Sequence, residues 1–142
     1  MEDLLKEKLW FYITHNNPDL MFTLQEEYGV LEYLNEKVNS VKSILEDLLS
    51  EGTPGYIIEE ICLNILTEDL KPSRFTYIQS LLWEEFEKTY TAFQESGILT
   101  YEVINLMESC KPVFETLGFT KENEEDPTLR NAFIGQIANY LS

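Results

Sequence analysis

The stretch Lys71–Phe93, KPSRFTYIQSLLWEEFEKTYTAF, constrains this chain most. Phe75, Ile78, Leu82, Phe86 and Phe93 form one row at helical spacing, and Tyr77, Leu81, Trp83 and Tyr90 widen it. Only a narrow strip with Gln79, Glu84, Glu87, Lys88 and Glu95 is polar. A helix apolar over so much of its circumference needs neighbours on several sides. Ser73, just after Pro72, is a suitable N-cap, and Gly97 a suitable stop. The stretch is read as a central helix near 73–95 against which flanking helices pack.

The rest of the chain repeats the helical period. Leu5, Leu9, Tyr12 and Ile13 mark a first helix over 2–15, broadened by Leu4, Trp10 and Phe11 and stopped by HNNPD at 15–19. Residues 19–29 predict a loop or a short helical turn. Leu31, Leu34, Val38, Val41, Leu45 and Leu48 alternate spacings of three and four and predict one helix ending at Gly52. Thr53-Pro54 reads as cap and first residue of a third helix carrying Ile57, Ile58, Ile61, Cys62, Ile65 and Leu66. After Gly97, a helix capped by Thr100, with Leu99 and Ile104 as a hydrophobic staple, carries Val103, Met107, Cys110, Phe114 and Leu117. Pro112 inside it predicts a kink, since the rhythm survives across it. The charged loop 120–126 leads to Asp126-Pro127 and a last helix bearing Leu129, Phe133, Ile137, Tyr140 and Leu141. No strand-like alternation and no internal repeat is evident. The expectation is an all-α fold: a single domain over 1–142, an irregular or orthogonal bundle of five to six helices.

Charge narrows the partners. There are 26 acidic and 10 basic residues, a formal net charge of −16. Phosphate neutralisation needs clustered Lys and Arg, so direct binding to nucleic acid or an anionic membrane is disfavoured. The acids are distributed along the whole chain, and no acidic tail stands out. Basic partners stay open. No run resembles a signal peptide or a membrane span, and the cytoplasm is the expected location. Cys62 and Cys110 lie in apolar helical patterns and read as two buried thiols.

Chemistry-bearing sets are sparse. His15 is the single histidine, at a helix end, where it suits a capping role. A di-iron bundle would need Glu-x-x-His on two helices, and Tyr12 stands three residues before His15. The pairs Glu59-Glu60 and Glu84-Glu85 are adjacent in sequence, so each pair is expected to diverge on its helix. Glu85, set among Leu81, Leu82 and Phe86, would need a basic or hydrogen-bonding partner if partly buried. Scattered glycines form no phosphate-binding loop, and no metal or cofactor is indicated.

The segment 70–86, with Leu70, Ser73, Arg74, Phe75, Leu81, Leu82, Trp83, Glu85 and Phe86, resembles an uncharacterised bacterial family. Val113-Phe114 and the order of helices extend the likeness over nearly the whole chain, while Tyr77, Gln79 and Pro112 depart from the pattern. The resemblance implies small, acidic, all-helical proteins of anaerobic gut and oral bacteria, often encoded near conjugative mobile elements. It implies no reaction. Ser73, Phe75, Leu82, Trp83, Glu85 and Phe86 are carried forward as its structural signature. The functional expectation is a non-enzymatic interaction or accessory protein with a protein partner, a homodimer being compatible. An acidic DNA mimic that occupies a basic groove is the alternative, and a carboxylate-dependent enzyme a third reading. Trp10-Phe11 and residues 20–24 are the stretches where an exposed apolar patch would mark a partner surface.

Overall fold

Local signals start or stop several of the helices in the computed structural model, which describes residues 1–142. Ser73 Oγ accepts from the Thr76 N–H at 3.0 Å, and Asp126 Oδ1 accepts from the Thr128 N–H at 2.9 Å. Each removes one orphan donor from a first turn. Gly52 and Gly97, both at positive φ, close C-termini where a side chain would be strained.

Ten α-helices result, with no strands. The chain divides into two compact units, Met1–Leu70 and Lys71–Ser142. The first holds α1 (Glu2–Asn16), α2 (Pro18–Glu26), α3 (Val30–Ser40), α4 (Lys42–Ser50), α5 (Gly55–Leu66) and a 3-10 turn at Glu68–Leu70. The second holds α6 (Arg74–Glu85), α7 (Glu87–Glu95), α8 (Leu99–Ser109), α9 (Lys111–Leu117) and α10 (Pro127–Leu141).

Several expectations are corrected. The five-to-six helix count fails because three long apolar patterns each break in two. The 31–48 pattern breaks at Val41, the 73–95 pattern at Phe86 and the 100–117 pattern at Cys110. Apolar side chains keep their rhythm through a sharp bend, so spacing alone does not reveal it. Pro112 does not kink a continuous helix. It lies in the first turn of α9, where its missing N–H has no intrahelical partner to lose. Pro18–Glu26 form a nine-residue helix, longer than the loop or short helical turn expected over 19–29. The third predicted helix starts one residue later than expected, after Pro54, and α8 starts at Leu99, after Ile98.

No single helix is central. Leu5, Leu9 and Ile13 on α1 join Leu34, Val38, Val41, Leu45, Ile58, Cys62 and Leu66 in one buried core. Phe75, Ile78, Leu81 and Leu82 on α6 join Val103, Leu106, Cys110, Phe114, Leu129, Phe133 and Ile137 in another. Burying each Leu, Ile or Phe contributes on the order of 1.5–3 kcal/mol, so each core is a substantial share of folding.

The two units are built alike, which overturns the absence of an internal repeat. In the first, α1 packs on α2, α3 and α5, α3 on α2 and α4, and α4 on α5. In the second, α6 packs on α7, α8 and α10, α8 on α7 and α9, and α9 on α10, with α8 also on α10. One constant register relates the first four helices of each. Val30–Ser40 maps onto Leu99–Ser109. Asn17 (φ −136°, ψ 56°) maps onto Phe86 (φ −136°, ψ 50°). Buried Leu9, Ile13, Leu34, Val41 and Leu45 map onto buried Ile78, Leu82, Val103, Cys110 and Phe114. The fifth helix of each buries three residues four apart: Ile58, Cys62, Leu66 and Leu129, Phe133, Ile137. Few positions are identical, because packing asks for apolar volume at a position rather than one residue type.

Candidate functional site

The α6–α7 elbow gathers most of the signature residues. Ser73 caps α6, and Phe75 and Leu82 are buried in the second core. Phe86 turns the chain between α6 and α7 and is half-buried against that core. These four hold the fold in place. Arg74 carries its guanidinium 4.5 Å from the centroid of Phe114, a cation–π contact across to α9.

Trp83 and Glu85 face outward. Trp83 is 50% exposed, although its place in the aromatic row predicts burial. Its ring meets Tyr90 edge-on, with centroids 5.0 Å apart, so the elbow presents an aromatic pair at the surface. Glu84 Oε2 and Glu85 Oε1 both accept from Arg130 Nη2 on α10, each at 2.8 Å. The expected divergence of the Glu84-Glu85 pair is therefore wrong: at the end of α6 the two side chains converge on one guanidinium. The hydrogen bond donated to Glu85, and then that donated to Glu84, raises the Arg130 pKa above its already high value. Both carboxylates remain substantially exposed, and the cluster ties α6 to α10.

Beside them, Tyr77 packs on Phe119 and Phe133 with ring centroids 4.8 and 5.2 Å away. Its hydroxyl is buried without a hydrogen-bond partner, and burial raises its pKa. Gln136 Nε2 donates to the Ser109 carbonyl at 3.1 Å, closing the C-terminal end of α8.

His15 lies in the last turn of α1, where Nδ1–H donates to the Phe11 carbonyl at 2.8 Å and the ring stacks on Phe11 at 4.1 Å. Phe11 stands five residues before the end of α1, ahead of the last four carbonyls that lack an intrahelical donor, so the ring folds back along its own helix. Phe11 itself is 65% exposed, whereas Trp10, Leu20 and Met21 pack against the first core and Leu24 is buried. Lys8 pairs with Glu59 and Lys37 with Asp69. Cys62 and Cys110 are free buried thiols, and burial pushes the Cys110 pKa up to about 11. No group of three His, Cys, Asp or Glu side chains gathers as a metal site, and no helix is long and apolar enough to cross a membrane. Shallow depressions on the first unit share Glu2 and Lys42, one bounded by Met1 and Leu49 and the other by Lys6 and Asn35.

Sequence reasoning missed Arg130 entirely. It stands four residues after the Asp126 cap, which places it in the first turns of α10, but nothing in its spacing names Glu84 and Glu85 as partners.

Comparison with known families adds no reaction. Residues 5–141 match the model of a domain of unknown function, DUF1896, and the chain belongs to that family. No curated protein and no solved structure matches it.

Proposed function

From membership in a family defined by a domain of unknown function, we propose that this chain acts without catalysis of its own, as a helical accessory protein that contacts another protein. We propose a setting beside a mobile element, which the resemblance implies. The observation that carries the reading is Trp83. An indole that could have joined the second core instead stands half in solvent against Tyr90, above a braced Glu84–Glu85–Arg130 cluster. Exposed tryptophan on a rigid elbow offers large apolar area at little cost in conformational freedom, which is why Trp and Tyr anchor interfaces.

The acidic-mimic reading keeps one specific support. The first unit, residues 1–70, carries 15 acidic against 4 basic side chains, more of the charge imbalance than the second unit carries. A basic groove would be attracted to that unit first.

The test is capture from an extract of the source cells at low and high salt, with the parent chain and Trp83→Ala side by side. The expected result is a partner that survives high salt and is lost on Trp83→Ala, with helicity unchanged. A basic DNA-binding protein released steeply by salt would favour the mimic. An identical set of captured proteins for parent and variant would refute the role of Trp83.

A further inference from the structure

The match between the two units isolates a residue that the fold does not require. Both the α2–α3 and α7–α8 turns end a helix in the same way. The Gly29 N–H donates to the Leu24 carbonyl at 2.9 Å, and the Ile98 N–H donates to the Phe93 carbonyl at 3.0 Å. The turn residue is left-handed in both. In the second unit it is Gly97 (φ 73°), the ordinary choice, and in the first it is Tyr28 (φ 55°). Tyr28 is 97% exposed, so no packing in this chain compensates for its backbone conformation.

We propose that the α2–α3 corner, Tyr28 with Leu31 between Glu27 and Glu32, docks a segment of another protein rich in lysine and arginine. Leu31 is 74% exposed beside Tyr28, on the first turn of α3. Glu26, Glu27, Glu32 and Glu36 around them are exposed, and no cation of this chain pairs with them. The corresponding corner of the second unit folds identically with Ser96, Gly97, Thr100, Tyr101 and Asn105 at the positions of Glu27, Tyr28, Leu31, Glu32 and Glu36. The aromatic at the turn, the leucine and the acids are thus properties of the surface and are not needed to make the turn.

The chemistry of the corner selects its occupant. A guanidinium or ammonium can lie over the tyrosine ring, its aliphatic stem can cover Leu31, and the flanking carboxylates supply its counter-charge. The excess of acid over the first unit steers a basic segment toward it and repels an acidic one. A tyrosine whose backbone is already fixed loses little freedom on binding.

This inference rests on the chain being an interaction protein, and it concerns a surface other than Trp83. The probe is a short labelled peptide alternating Arg, Lys and Ser, read by fluorescence anisotropy at low and physiological salt. A peptide of the same length with Glu in place of Arg and Lys is the control. Tyr28→Gly leaves the net charge unchanged and should weaken binding by about tenfold, the size of a lost anchor. Glu27→Gln with Glu32→Gln should weaken it more than Glu46→Gln with Glu51→Gln, which removes the same charge from α4 and its end. Equal binding by Tyr28→Gly and parent overturns the proposal. So does equal weakening by the two glutamine pairs, which would mean attraction to net charge only, and so does an absence of binding by the parent. Trp83→Ala should leave peptide affinity intact, so that the extract capture and the peptide titration fail separately.

Discussion

The exchange of turn residues between the units gives a direct measure of backbone strain. A left-handed conformation costs an ordinary L-residue roughly 1–2 kcal/mol. Glycine avoids that cost but gives the unfolded chain more freedom, which offsets about 0.4–1 kcal/mol. Tyr28 is almost wholly in solvent, so replacing it forfeits no burial. Its own N–H donates to the Gln25 carbonyl at 3.3 Å and would be retained in the variant. Tyr28→Gly should therefore stabilise the protein by about 0.5–1 kcal/mol. The converse substitution tests the same account from the other side. A Cβ built on Gly97 meets nothing within 4 Å, so Gly97→Ala carries conformational cost alone. It should destabilise by about 0.5–1 kcal/mol. Urea unfolding followed by circular dichroism, with m unchanged, reads both shifts from the midpoint. A neutral or destabilising Tyr28→Gly would refute the reasoning, because it would require the tyrosine to make stabilising contacts that its exposure denies it. Combined with the peptide titration, a variant more stable yet weaker in binding would separate the surface role of Tyr28 from its structural one.

Other consequences follow from the cores and the charge cluster. Leu9→Ala and Ile78→Ala remove equivalent fully buried side chains, and each should cost about 2–5 kcal/mol in chemical denaturation, the range for cavities of this size. Arg130→Met leaves Glu84 and Glu85 facing each other without their shared cation. With all three side chains partly exposed, the loss should be only about 1 kcal/mol and should shrink as salt is added. Cys62 and Cys110 should resist a thiol reagent in the native state and react fully in denaturant. Because burial raises both thiol pKa values, stability is full below the ordinary thiol pKa. It should fall as pH rises from about 9 toward 11, where unfolded thiols ionise first. The raised values of Tyr33 and Tyr77 act in the same direction at higher pH.

Much of the candidate site was readable one residue at a time. Ser73 as a cap, Phe75 and Leu82 as core, and the need of Glu85 for a basic partner all follow from local rules. The identity of that partner did not, because Arg130 reaches α6 from a helix far along the chain. The exposure of Trp83 was also hidden. Helical spacing places a side chain on one face of its own helix, but which faces are covered depends on how many neighbours arrive.

The same division holds for the fold. The sequence alone determined that the chain is helical, where α6 and α10 begin, and where Gly52 and Gly97 end helices, since capping bonds and φ preferences act within a few residues. It also marked most of the apolar positions that became the two cores, although Leu31 and Leu117 in the same rows stay exposed. Only tertiary packing decided that the rhythm bends at Val41 and Phe86, whereas the bend at Cys110 has Pro112 beside it as a local signal. Neither Val41 nor Phe86 is a proline or glycine, so the bend there is set by what each must pack against. Packing likewise decided that the aromatic stretch 71–93 serves one five-helix unit, whose plan the first 70 residues repeat with different side chains. A shared core geometry tolerates many apolar sequences, and for that reason the repetition was visible in burial and turn conformation before it was visible in residues.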